Sequence, residues 1–210
     1  MSNTRSSVRS AQQSPSHGKL IAVIVAAALV IILALLSAFV WPGWALNKTE
    51  ASKPATSQQQ TQEPTTPTIK ATDLPDGATE LLKAMPDSVL NFARTKADAS
   101  TTWNSATPLE EYTLTYSTGK KGQDITLIVA QWSSSDDATT QYNALTGALD
   151  GKKIASGAVK VQGDNTGEYV VKTDKDQPKQ GTAVWRNDTV VFQATGTKDE
   201  LQRFYQKFPL

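Results

Sequence analysis

The stretch TAVWRNDTVVFQATGTKDELQRFYQKFP, residues 182–209, carries two periodicities in succession, and the switch between them sets the class of fold. In residues 182–186 and 189–194 apolar side chains alternate with polar ones, the period of a strand buried on one face. Asn187-Asp188 between them tolerates the positive φ angles of a tight hairpin turn. Pairing across that turn places Trp185 opposite Val190 and Ala183 opposite Phe192, all on one core-facing side. The period then changes. Thr197-x-x-Glu200 has the form of a capping box, and Leu201, Phe204, Tyr205 and Phe208 follow at i, i+3, i+4 and i+7, the stripe of an amphipathic helix stopped by Pro209.

The same order of elements occurs earlier. Tyr112, Leu114 and Tyr116 alternate along a strand, Lys120-Lys121-Gly122 forms a turn, and residues 125–132 are apolar on both faces, as in a central strand. Ser134 then opens a helix striped by Ala138, Tyr142, Leu145 and Leu149, with Gly151 as the expected C-cap. Between the two units, residues 158–162 and 168–173 are expected strands joined by residues 163–167. Nearer the start, residues 78–85 predict a short helix broken before Pro86, and residues 89–94 suit either a helix or a strand. The expectation is an α+β domain, a mainly antiparallel sheet with helices packed on one face, over residues 73–210.

What precedes the domain is of another kind. Residues 20–40 are uninterrupted by charge or turn residues, and about 21 residues at 1.5 Å each match a bilayer's roughly 30 Å hydrocarbon core. Trp41 and Trp44 sit where the run leaves the hydrocarbon, the place of an interfacial belt. Residues 20–41 are thus expected to be a transmembrane helix that acts as a signal-anchor. Arg5, Arg9 and Lys19 lie before it and no acid occurs before Glu50, so the basic, disordered tail 1–19 belongs in the cytoplasm and the remainder outside. Gly43-Trp44-Ala45 leaves cleavage after Ala45 as the alternative. Residues 47–72, rich in Thr, Gln and Pro, predict a flexible stalk.

Composition excludes several kinds of activity. The chain of 210 residues has no cysteine, so disulfides and thiolate chemistry are absent, and its one histidine, His17, lies in the tail. A Ser-His-Asp triad and His- or Cys-bound metal are therefore not expected in the outer domain. From Asp73 onward there are 15 Lys and Arg against 18 Asp and Glu, a mildly acidic balance that argues against nucleic acid as a partner.

Three enzyme kits survive. Glu110, Glu111, Asp136, Asp137 and Glu168 are the candidates for a hydrolytic carboxylate pair, although acids at turns and helix starts have a structural use as caps and dipole partners. Ser117, Ser133, Ser134, Ser135 and Ser156 are nominal nucleophiles for a Ser-Lys dyad, although Ser134 is read more strongly as a helix cap. Asp164-Asn165 and Asp174-x-Asp176 are oxygen-rich, yet lack the spacing and closing Glu of a calcium loop. No catalytic residue, metal site or cofactor is expected. Among the aromatic residues, Trp103 sits in the polar stretch 99–107 outside any periodic run, which makes it the candidate ligand contact. Asn47-Lys48-Thr49 and Asn187-Asp188-Thr189 are formal glycosylation sequons.

The basic tail, the single Ala/Val/Ile/Leu helix, the Thr/Gln/Pro stalk and a domain ending in Phe204-Tyr205-Gln206-Lys207-Phe208-Pro209-Leu210 together resemble the uncharacterised single-pass, membrane-anchored envelope proteins of high-GC Gram-positive bacteria. The resemblance implies an address in the cell membrane and no mechanism. The expected function is an extracytoplasmic binding, sensing or envelope-scaffold module without catalytic activity, with the lipid bilayer and an envelope protein or cell-wall component as partners. The alternative is a carboxylate-dependent hydrolase acting on cell-wall polymer.

Overall fold

The structure, a computed structural model that describes residues 63–209, is organised by one eight-stranded sheet in which every neighbouring pair is antiparallel. The expected transmembrane helix 20–41, the tail 1–19 and the sequon at Asn47 lie outside the described residues. Among the described residues no helix is long and apolar enough to cross a membrane. In chain order the elements are α1 (Glu80–Ala84), β1 (Ser88–Val89), β2 (Phe92–Ala99), a 3-10 turn (Asn104–Ala106), β3 (Glu110–Ser117), β4 (Ile125–Gln131), α2 (Ser135–Ala148), β5 (Lys153–Val161), β6 (Asp164–Thr173), β7 (Gln180–Asn187), β8 (Val190–Thr197) and α3 (Lys198–Tyr205).

The strand order β1-β2-β3-β4-β8-β7-β6-β5 joins two four-stranded meanders at β4 and β8. Chain direction then gives the sheet two ends. The β3–β4 and β6–β7 loops and the start of α3 lie at one end; the β7–β8 and β5–β6 turns and the start of α2 lie at the other. Reaching the far edge strand β5 from the central strand β4 requires a crossing of the sheet, and α2 makes it, over β7 and β8.

The α+β class and the antiparallel sheet agree with the sequence. The placement of all helices on one face does not. Leu127, Val129, Ala183, Trp185, Phe192 and Ala194 point to the side covered by α1 and α3, where they pack with Leu81, Leu82, Leu201, Phe204 and Phe208. Ala130, Val184 and Val191 point to the opposite side and pack with Ala138 and Tyr142 of α2. Since side chains alternate across a strand, the central strands β4, β7 and β8 are apolar on both faces and need cover on both.

Three local expectations are corrected. The β7–β8 turn is Asp188-Thr189, with Asp188 at φ 51°, and Asn187 pairs directly with Val190. β7 thus runs one residue further into the turn and β8 starts one residue later, and Trp185 faces Phe192 while Ala183 faces Ala194. The core face survives because the partner moves by two residues, one full period. Thr197 takes the N-cap position of α3 with no side-chain hydrogen bond, and Glu200, the other half of the expected capping box, pairs with Arg203 at 2.6 Å instead. Gly151 is not the C-cap of α2, a position held by Leu149 whose carbonyl accepts from Lys172 Nζ. Gly151 instead passes the backbone of Thr173 so closely that a Cβ would sit 1.6 Å from its carbonyl oxygen.

The other elements follow their signals. Ser134 caps α2 by accepting from the Asp137 amide at 3.1 Å. Residues 89–94, open between helix and strand, form the β1–β2 hairpin with Leu90 at φ 52°. The loop expected over residues 163–167 shrinks to Gln162-Gly163, both at positive φ as a tight hairpin turn requires, so β5 and β6 extend further than their apolar pattern.

Within the stretch expected to be stalk, residues 63–72 are described, and side chains of the domain hold them. Arg203 donates to Glu63 Oε2 and the Pro64 carbonyl, and also to Asn91 Oδ1. Ile69 lies against Gly119. Arg94, 2% exposed, donates to the carbonyls of Thr72, Met85 and Pro86 and to Asp87. A guanidinium suits this position because its planar fork satisfies several acceptors at once.

Candidate functional site

Glu110, Glu111 and Glu168 do not converge, and Asp136 and Asp137 serve a helix start. Glu110 and Glu111 are consecutive in β3, so their side chains leave opposite faces of the sheet. Glu110 accepts from the Tyr112 hydroxyl at 3.1 Å, and that phenol is pushed above its ordinary value by burial first and by the Glu110 charge as well. Glu111 is buried and fully used: the Ser100 hydroxyl donates to one oxygen at 2.6 Å and the Trp103 amide to the other at 2.9 Å. Its task is to hold the 99–107 loop against the sheet.

Glu168 shares a face with Glu111, but the pairing Glu111, Ala130, Val191, Arg186 places it four strands away. At about 4.8 Å per strand this separates the two by about 19 Å, twice the span over which two carboxylates act on one glycosidic bond. Asp136 and Asp137 occupy the first turn of α2, where Asp137 also accepts from Ser134 Oγ. Glu168 lies close enough to Tyr142 to add to the effect of burial, and both raise that phenol. Asp174 Oδ1 accepts from the amides of Asp176 and Gln177, a side-chain-closed turn. Among the described residues no cluster of three or more potential metal ligands occurs.

Trp103 is a core residue. It is 6% exposed and stacks on Trp132, ring centroids 6.2 Å apart, while Trp132 Nε1 donates to the Ala106 carbonyl. Periodicity missed it because it enters the core from the 3-10 turn, where neither the strand nor the helix period applies. Asn187 is equally committed: its side chain is 1% exposed, so the sequon there presents no accessible amide.

What the sheet does present is a row that no motif in the sequence announces. Lys96, Thr115, Thr126, Thr195, Thr182 and Lys172 are successive register partners across β2, β3, β4, β8, β7 and β6. All lie on the face that carries α2. The helix crosses over β8 and β7 and ends where Lys172 meets Leu149; beside it Thr126 is exposed and Thr115 and Thr195 are half-buried. Thr113, Ile128 and Gln193 form the adjoining row, and the Lys96–Asp98 ion pair borders it. β-branched residues suit strands in any case. Here three of them stand side by side at about 4.8 Å beside the helix, each hydroxyl able to donate and accept.

No family model matches the chain, and no curated protein does. Among solved structures, a GTP-binding regulator from Thermotoga maritima aligns at 7% identity over 56% of this chain and 78% of that one, with a TM-score of 0.36, a likeness too remote to carry an argument.

Proposed function

We propose that the protein is a single-pass, membrane-anchored binding or envelope-scaffold module, with residues 20–41 in the bilayer, the N-terminus cytoplasmic, and the described domain outside. The observation that supports a binding role is the threonine row beside α2. Its partner is a hydroxyl-rich cell-wall polymer laid across β3, β4 and β8. The non-enzymatic reading is favoured over a carboxylate hydrolase because Glu110 and Glu111 diverge and Glu111 and Glu168 stand far apart.

The test is Thr115→Val, Thr126→Val and Thr195→Val combined in the full chain, which keeps the β-branch and removes the hydroxyls. Retention on isolated cell walls should fall by at least about tenfold, the loss of one or two net hydrogen bonds. Unchanged retention by a folded triple variant would overturn the site. Protease added to intact cells should remove the domain while sparing a tag at Met1; protection of the domain would overturn the topology.

A further inference from the structure

The two ends of the sheet differ in charge, and the chain leaves the described domain at one of them. At the end bearing the β3–β4 and β6–β7 loops stand Lys120, Lys121, Lys152, Lys153, Lys175 and Lys179, all exposed. Lys198 at the start of α3 adds to them, and Lys152, Lys175 and Lys198 border one open cavity of about 430 Å³ with Asp150 and Asp174. Among the described residues none of these lysines is in an ion pair. The acids of this end are Asp124, Asp150, Asp174, Asp176, Asp199 and Glu200, of which Glu200 is paired with Arg203, and Asp124 and Asp174 are occupied by Ser117 and by backbone amides, leaving the lysines in excess. The opposite end carries Asp98, Glu110, Asp136, Asp137, Asp164 and Asp188 against Lys160 and Arg186.

Glu63 and Pro64, where the described chain begins, are held by Arg203 beside Asn91 in the β1–β2 turn, which is at the lysine end. Residues 42–62 then separate that end from the apolar run. The stalk that the sequence predicts over this length would span about 25 Å on average, whereas the acidic end is farther away by an eight-residue strand, about 27 Å.

We infer that the lysine-bearing end of the domain docks on the anionic headgroups of the bilayer that anchors it, which stands the domain upright with its acidic end outward. The inference rests on the anchor proposed above. Tethering makes the encounter intramolecular, so a weak attraction per lysine suffices. Lysines suit a disordered array of headgroups, since each is a mobile point charge with no fixed bonding geometry to meet. Because the screening length at physiological salt is only about 8 Å, attraction operates at near contact and vanishes as salt rises.

The full chain, which has no native cysteine, is reconstituted in phosphatidylcholine vesicles with and without phosphatidylglycerol. A single dye is carried at Gln177→Cys, in the β6–β7 loop, or at Ser133→Cys, at the opposite end, and energy transfer to a headgroup-labelled lipid is measured. With phosphatidylglycerol, transfer from position 177 should exceed that from 133 by about threefold or more, and should collapse on adding salt. Lys120→Gln, Lys121→Gln, Lys175→Gln and Lys179→Gln together should abolish the lipid dependence. Transfer from 177 that is indifferent to phosphatidylglycerol and salt would overturn the docking. Release of the chain from vesicles by alkaline carbonate would overturn the anchor itself, a separate measurement.

Discussion

Trp185 lies flat against Phe192 across the β7–β8 hairpin, ring centroids 4.9 Å apart and planes 6° from parallel. Phe208, beyond the end of α3, meets both rings nearly edge-on, at 5.4 Å and 5.8 Å. The hairpin and the C-terminal helix are thus joined by one aromatic cluster, in which offset and edge contacts add to burial.

Trp185→Ala should therefore lower stability by about 3–5 kcal/mol, a large-to-small change at a side chain 5% exposed. Urea unfolding followed by circular dichroism checks it. Phe208→Ala should show coupling with it in a double-mutant cycle, because the two rings touch.

The phenol of Tyr116 is raised well above its ordinary value of about 10, chiefly by burial, and it donates to the Pro86 carbonyl at 2.9 Å. The folded state holds this proton more tightly than the unfolded chain does. Its contribution is therefore fully present below about pH 10 and is lost as pH rises beyond. Thermal melts from neutral to strongly alkaline pH should show Tyr116→Phe about 1 kcal/mol less stable at neutrality, with the deficit shrinking above about pH 10. A deficit that stays constant would show that the hydroxyl does not titrate with unfolding.

Carboxylate replacements should separate by burial. Glu111→Gln loses a charge-assisted bond beneath Trp103 and should cost about 1.5–3 kcal/mol, whereas Asp137→Asn at the exposed start of α2 should cost at most about 1 kcal/mol. Binding to cell walls should persist in both wherever the domain is folded. A well-folded Glu110→Gln or Glu168→Gln protein that abolishes release of wall fragments would instead establish a hydrolase.

The meander ending in α3 was legible because its signals act within a few residues: alternation along β7 and β8, then the spacing of Leu201, Phe204 and Phe208. Position in space was less so. That α2 and α3 cover opposite faces depends on where the crossing from β4 to β5 runs, which only the whole strand order decides. The threonine row has no sequence signature at all, since its members come from β3, β4, β7 and β8 and become neighbours through register. Trp103 misled because a polar loop can still deliver one large ring inward when a buried acid, Glu111, satisfies its backbone amide.

A sheet of this kind has two borders, and each is finished in a way that discourages growth. β1 is only two residues long, and the backbone beside it is taken up by the amide of Thr72 bonding to Arg94. β5, with nine residues, is the longer hazard, yet its pairing with β6 shifts register twice, between Lys153 and Ala155 and between Val159 and Lys160. Each irregularity is accompanied by a lysine, and irregular, charged borders are poor templates for a strand from a neighbouring molecule. Many copies crowded on one surface would therefore stay separate, free to act as individuals instead of zipping into fibrils.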